Sequence, residues 1–128
     1  MKITRSLALN ILLGLFSLVI VFHLCIITQL IPYTIVWAGK LNSVEEMYLF
    51  EAVSIAINVF FVTVLLLKAR YIKHTIPERL LNIILWMFLI LFVLNTVGNL
   101  MAKTAFERLV FTPMTLLTAC LLWLIVRK

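Results

Sequence analysis

Four uninterrupted apolar runs, at about 6–30, 47–67, 79–101 and 106–126, decide most of what this chain of 128 residues can fold into. Each reaches the ~20 residues that an α-helix needs to cross a hydrocarbon core of roughly 30 Å. Their apolar residues are continuous rather than alternating, which is the pattern of spanning helices and not of barrel strands. A sequence that is 65% hydrophobic and 12% charged carries more apolar surface than one small globule can hide, so lipid must cover the remainder. No polar stretch is long enough to fold separately. The expectation is therefore an all-α polytopic membrane protein. Residues 1–128 form a single transmembrane domain, an antiparallel four-helix bundle whose neighbours are joined by short connections. Val36-Trp37-Ala38 loosely fits a signal-cleavage pattern, but the preceding run exceeds the 7–15 apolar residues of a signal and is read as a retained span.

Lys2, Arg5, Lys68, Arg70, Lys73, Arg79, Arg127 and Lys128 would lie on one side of the membrane, and only Lys40, Lys103 and Arg108 on the other. The positive-inside rule then puts both termini and the middle loop in the cytoplasm. The net charge of +6 is met by anionic lipid headgroups, with membrane lipids as expected partners and no nucleic acid. With no transit-type segment ahead of the first run, a bacterial inner membrane is the expected home. Cys25 and Cys120 fall at opposite depths, too far apart for a disulfide, and read as buried small hydrophobes. No His/Cys cluster has metal-ligand spacing, so neither a metal nor another cofactor is expected. The connection from Ile31 to Asn42, with Pro32, Tyr33, Trp37 and Gly39, reads as an interfacial loop or a short lid.

The five acids sort by position. Ser43…Glu46, Thr75…Glu78 and Thr104…Glu107 each read S/T-x-x-E ahead of an apolar run, the spacing of a helix-capping box. Glu45 stands in the first turn of a helix, where the dipole favours an acid. Glu51 alone has no such role. A carboxylate facing lipid at its depth costs about 2.5–3.5 kcal/mol on the insertion scale, so it should face the bundle or water and find partners.

Counting about seven residues inward from the outer ends places His23, Glu51, Asn95 and Thr112 at one depth, in four different spans. At ~100° per residue Glu51, Ser54 and Asn58 share one helix face, and Asn95 with Asn99 makes a second polar stripe that can face it. Arg108, Thr112, Thr115 and Ala119 share a face of the fourth run, which offers Glu51 a cation. The stripe Asn10, Gly14 and Ser17 on the first run has the look of a packing face. His23 lies ~140° from it, so either that helix bends or His23 looks away. Pro113, inside the fourth run, should kink it, with Thr112 and Thr115 supplying replacement hydrogen bonds. The ligand-binding candidates are thus Glu51, Asn58, Asn95, Asn99, His23, Thr112 and Arg108. The amides also suit plain interhelical hydrogen bonding. No catalytic residue is assigned.

The strings Ile31-Pro32-Tyr33-Thr34-Ile35-Val36-Trp37, Glu45-Glu46-Met47 with Phe50-Glu51, Asn95-Thr96-Val97-Gly98-Asn99 and Phe111-Thr112-Pro113 resemble small four-span bacterial membrane proteins of uncharacterised role. That resemblance covers nearly the whole chain and implies the four-span architecture without an activity. Small multidrug transporters have a similar length, yet carry their membrane glutamate in the first span, where this chain has none. Three functions remain open. One is a binding or transport protein, alone or as a homo-oligomer, whose outer-half pocket around Glu51 takes a small cation, a proton or an amphipathic molecule. The second is an accessory or immunity-like subunit that recognises another membrane protein. The third, a lipid-modifying or isomerising enzyme, needs His23 and Glu51 within hydrogen-bond reach.

Overall fold

A threonine begins the first helix: the Thr4 hydroxyl accepts the Leu7 amide at 3.1 Å, and α1 runs Arg5–Ile27 behind it. The computed structural model describes residues 3–32, 43–102 and 104–127. Ser43 caps α2, Val44–Lys68, by accepting from the Glu46 amide at 3.1 Å. Next come α3, Glu78–Leu100, a π-helical segment, Glu107–Phe111, and α4, Thr112–Val126. No strand occurs among the described residues. Four helical stretches are long and apolar enough to cross a membrane, the last combining the π segment with α4. They match the four apolar runs of the sequence to within a few residues. Large apolar side chains stay uncovered on every helix, among them Val21, Leu49, Met87 and Leu116, as expected for a multi-pass membrane protein whose outer surface meets lipid.

Contacts between helix ends order the bundle. Arg5, at the start of α1, donates to the Arg127 carbonyl after α4, and the Tyr71 hydroxyl beyond α2 reaches Asn10 Oδ1 at 2.5 Å. Both termini and the 69–77 connection therefore share one end, called here the basic end. At this end the core is built around aromatic rings. Phe61 is fully buried and meets Phe16, Phe88 and Phe92 at centroid distances of 4.8, 4.6 and 5.3 Å. Leu12, Leu65, Leu81, Leu85 and Leu122 continue the same core.

Three local expectations are corrected. Thr75 and Glu78 form no capping box: Pro77 occupies the N-cap of α3 without a side-chain bond. Glu78 is drawn instead to Lys68 at 2.7 Å and Arg70 at 3.3 Å across the connection. Asn10, Gly14 and Ser17 are exposed, because α1 buries the face of Ala8, Leu9, Leu12 and Phe16. Cys120 is exposed and Cys25 half-buried, both as free thiols. The proposed interfacial loop or lid lies almost wholly outside the described residues, as do Lys40 and Lys103.

The Lys68–Glu78 pair tests the weight of such surface charge. Lys68→Ala is expected to change stability by less than about 1 kcal/mol, since Glu78 is 44% exposed and Arg70 still neutralises it. Denaturant titration followed by circular dichroism checks this. A larger loss would mean that the connection, rather than the aromatic core, organises this end.

Candidate functional site

Away from the basic end, α1 and α2 are joined by a hydrogen-bonded histidine–glutamate pair. Glu51, two turns into α2, is fully buried, and its Oε2 lies 2.5 Å from His23 Nδ1 near the end of α1. The sequence-level conflict over His23 disappears once the inward face of α1 is known. His23 is seven residues from Phe16 and eleven from Leu12, which puts it within about 20° of either at ~100° per residue. Ile26 and Met47, both fully buried, form an apolar cluster at this end with Phe22, Val44 and Phe111.

Beside this pair lies a cavity of about 770 Å³ bordered by all three long helices, the π segment and α4. Phe16 and Phe92 form its wall toward the basic end, so the aromatic core closes it there. Asn58 faces it from α2, with its amide donating to the Ser54 carbonyl at 2.7 Å. Asn95 and Asn99 face it from α3. The side chain of His23 is 16% exposed and borders the same space, so the imidazole stands between the cavity and the buried carboxylate of Glu51. With Nδ1 turned to Glu51, Nε2 is the ring nitrogen left for a ligand. A β-carbon built on Gly98 meets nothing within 4 Å, which keeps the wall between Asn95 and Asn99 recessed.

The fourth wall owes its shape to Pro113. Proline lacks an amide proton and its ring crowds the preceding turn, and the chain widens into the π segment just before it, with the Thr112 amide reaching back to the Glu107 carbonyl. Such widened turns recur at functional sites. The Thr115 hydroxyl donates to the Phe111 carbonyl at 2.9 Å and accepts from Thr96 at 2.9 Å, tying α4 to α3. Thr112 is buried, and its Oγ1 has no hydrogen-bond partner.

The widened turn also separates Arg108 from Thr112, Thr115 and Ala119. Counting backward at ~100° per residue fails through a π turn, which holds more residues than an α turn. Arg108 is exposed and donates to the Ala102 carbonyl at 2.6 Å, where a cation suits the end of a helix. It therefore does not serve as the cation facing Glu51. Four of the seven candidates, His23, Asn58, Asn95 and Asn99, border one cavity, and Glu51 stands directly behind His23.

Sequence reasoning missed one residue. Glu107 keeps its capping role, with Thr104 accepting from its amide at 3.3 Å and donating to its carboxylate at 2.9 Å. Yet Glu107 is also 4% exposed and borders the cavity. The S/T-x-x-E pattern explained it too early; Pro113, six residues on, was the signal that its helix start would be irregular. Comparison with protein-family models, curated proteins and solved structures finds no match to this chain.

Proposed function

We propose that this chain is a bacterial inner-membrane protein that binds, and in transport releases, a small amphipathic molecule in the outer-leaflet half of its bundle. One observation carries the reading: a cavity of about 770 Å³, apolar over most of its wall, receives His23, Asn58, Asn95 and Asn99 from three different helices. Ligand sites have this composition, a mainly apolar enclosure with a few convergent polar groups that fix orientation. The ligand's polar end sits against the amides and His23, and its apolar part lies on the leucine and phenylalanine walls. Glu51 holds the imidazole in place and can exchange a proton with it over 2.5 Å. The excess of Lys and Arg at the basic end supports the cytoplasmic assignment of that end.

Fluorescence of N-phenyl-1-naphthylamine, an uncharged amphiphile at neutral pH, tests the reading on the protein in lipid nanodiscs. Asn95→Phe, which places a ring at the exposed polar wall, is expected to weaken binding at least tenfold relative to wild type, after subtraction of empty discs. Equal affinity would sink the pocket reading. The short His23–Glu51 contact also favours a second reading, acid–base chemistry on a membrane-soluble substrate, because it satisfies the reach such catalysis needs. Product formation from the bound molecule, lost in His23→Phe, would distinguish it from binding alone.

A further inference from the structure

A second concavity lies at the basic end, on the outer surface of the bundle where α3 begins and α4 stops. Arg79, Asn82, Ile83 and Trp86 stand at i, i+3, i+4 and i+7, so they share one face of α3. Val126, the last residue of α4, closes the other side of a cleft of about 610 Å³. Arg79 is the second residue of α3, and Trp86 lies about 10 Å farther along the helix axis. The cleft thus runs from a guanidinium at the level of lipid headgroups to an indole among their chains. Ile83 and Trp86 are both exposed, so its deeper part opens to lipid.

Most other cations of this end are engaged. Lys68 and Arg70 bind Glu78, Arg5 donates to the Arg127 carbonyl, and the Arg127 guanidinium lies 4.9 Å from the centroid of the Trp123 ring. Arg79 makes no hydrogen bond or ion pair among the described residues, and no carboxylate is among the described residues that border the cleft with it. Asn82 Oδ1 is buried and also has no hydrogen-bond partner there, so no neighbour holds this amide. A guanidinium offers paired donors that match two phosphate oxygens. Basic pockets between membrane helices on the cytoplasmic side are suited to anionic headgroups, and tryptophan to the interface.

We infer that this cleft binds one anionic glycerophospholipid, independently of what the outer-half cavity receives. Its phosphate diester sits against Arg79, its glycerol region beside the Asn82 amide, and an acyl chain along Ile83 and Trp86. A zwitterionic lipid would bring its ammonium group to the same guanidinium and gain less. A soluble phosphate would leave the apolar half of the cleft unused.

The test reads the indole inside the cleft. Trp37→Phe combined with Trp123→Phe leaves Trp86 as the single tryptophan. The protein is placed in phosphatidylcholine nanodiscs containing increasing fractions of phosphatidylglycerol, or of phosphatidylcholine, with brominated acyl chains that quench the indole. Phosphatidylglycerol is expected to reach half its limiting quench at about one fifth of the fraction that brominated phosphatidylcholine requires. Arg79→Gln should bring the two curves within about twofold of each other. Asn82→Leu, which keeps every charge, should lower the preference by a smaller factor. Lys73→Gln, which removes a charge from the 69–77 connection rather than from the cleft, should leave the preference unchanged. Equal quenching by both lipids in the unsubstituted cleft overturns the inference. So does a loss in Lys73→Gln as large as that in Arg79→Gln, which would assign the preference to diffuse surface charge. Relief of the phosphatidylglycerol quench by millimolar glycerol phosphate would overturn the lipid assignment and give the cleft to a soluble phosphate.

Discussion

Glu51→Ala should lower the unfolding free energy by about 3 kcal/mol, among the largest losses available to a single substitution in this chain. Glu51 is fully buried, so alanine leaves a void and strands His23 Nδ1 beside it. Breaking a buried charged pair by removing one member costs on the order of 3–5 kcal/mol in water-soluble proteins. Hydrogen bonds between membrane helices average only about 0.6 kcal/mol. The lower end of the first range applies because His23 keeps some access to the cavity. Glu51→Gln preserves shape and a polar partner, and should lose only about 1 kcal/mol. A double-mutant cycle with His23→Phe, read by steric trapping or detergent-induced unfolding, isolates the coupling between the two side chains. Additive losses would show that the pair contributes little beyond its separate packing.

Phe61→Ala is expected to cost about 3 kcal/mol for a different reason, because it removes the ring at the centre of the aromatic core. The same change should improve binding of longer probes. Phe16 and Phe92 both touch Phe61 and both border the cavity, so losing the ring between them deepens the pocket toward the basic end. Alkylated naphthylamines of increasing chain length should bind Phe61→Ala with an optimum several methylenes longer than wild type. An unchanged optimum would mean that the core collapses into the void, and the stability loss would then fall well below 3 kcal/mol.

These contrasts follow what was legible in the residues. The spans were plain, because twenty consecutive apolar residues have few alternatives. Ser43 and Thr104 were also readable as caps, since capping needs only local spacing. Thr75 satisfied the same spacing and failed, because Lys68 and Arg70 compete for Glu78 through contacts that no local pattern encodes. The polar layer was found by depth, but its facing was misjudged on α1. Small residues there were taken for the packing face, whereas Phe16 and Leu12 turn inward and bring His23 with them. On the fourth span the widened turn before Pro113 defeated the angular count that grouped Arg108 with Thr112.

The aromatic floor formed by Phe16 and Phe92 also has an electrical consequence. His23 lies four residues before the end of α1 and Glu51 seven residues after the start of α2. A charge carried to that level has travelled about 10 Å, a third of a hydrocarbon layer of roughly 30 Å. Moving a unit charge through the whole membrane potential is worth about 2.3 kcal/mol per 100 mV. Occupancy at that level by a singly charged ligand would therefore respond to voltage by only about 0.8 kcal/mol per 100 mV, and the remaining two thirds of the drop would fall across packed phenylalanine and leucine side chains.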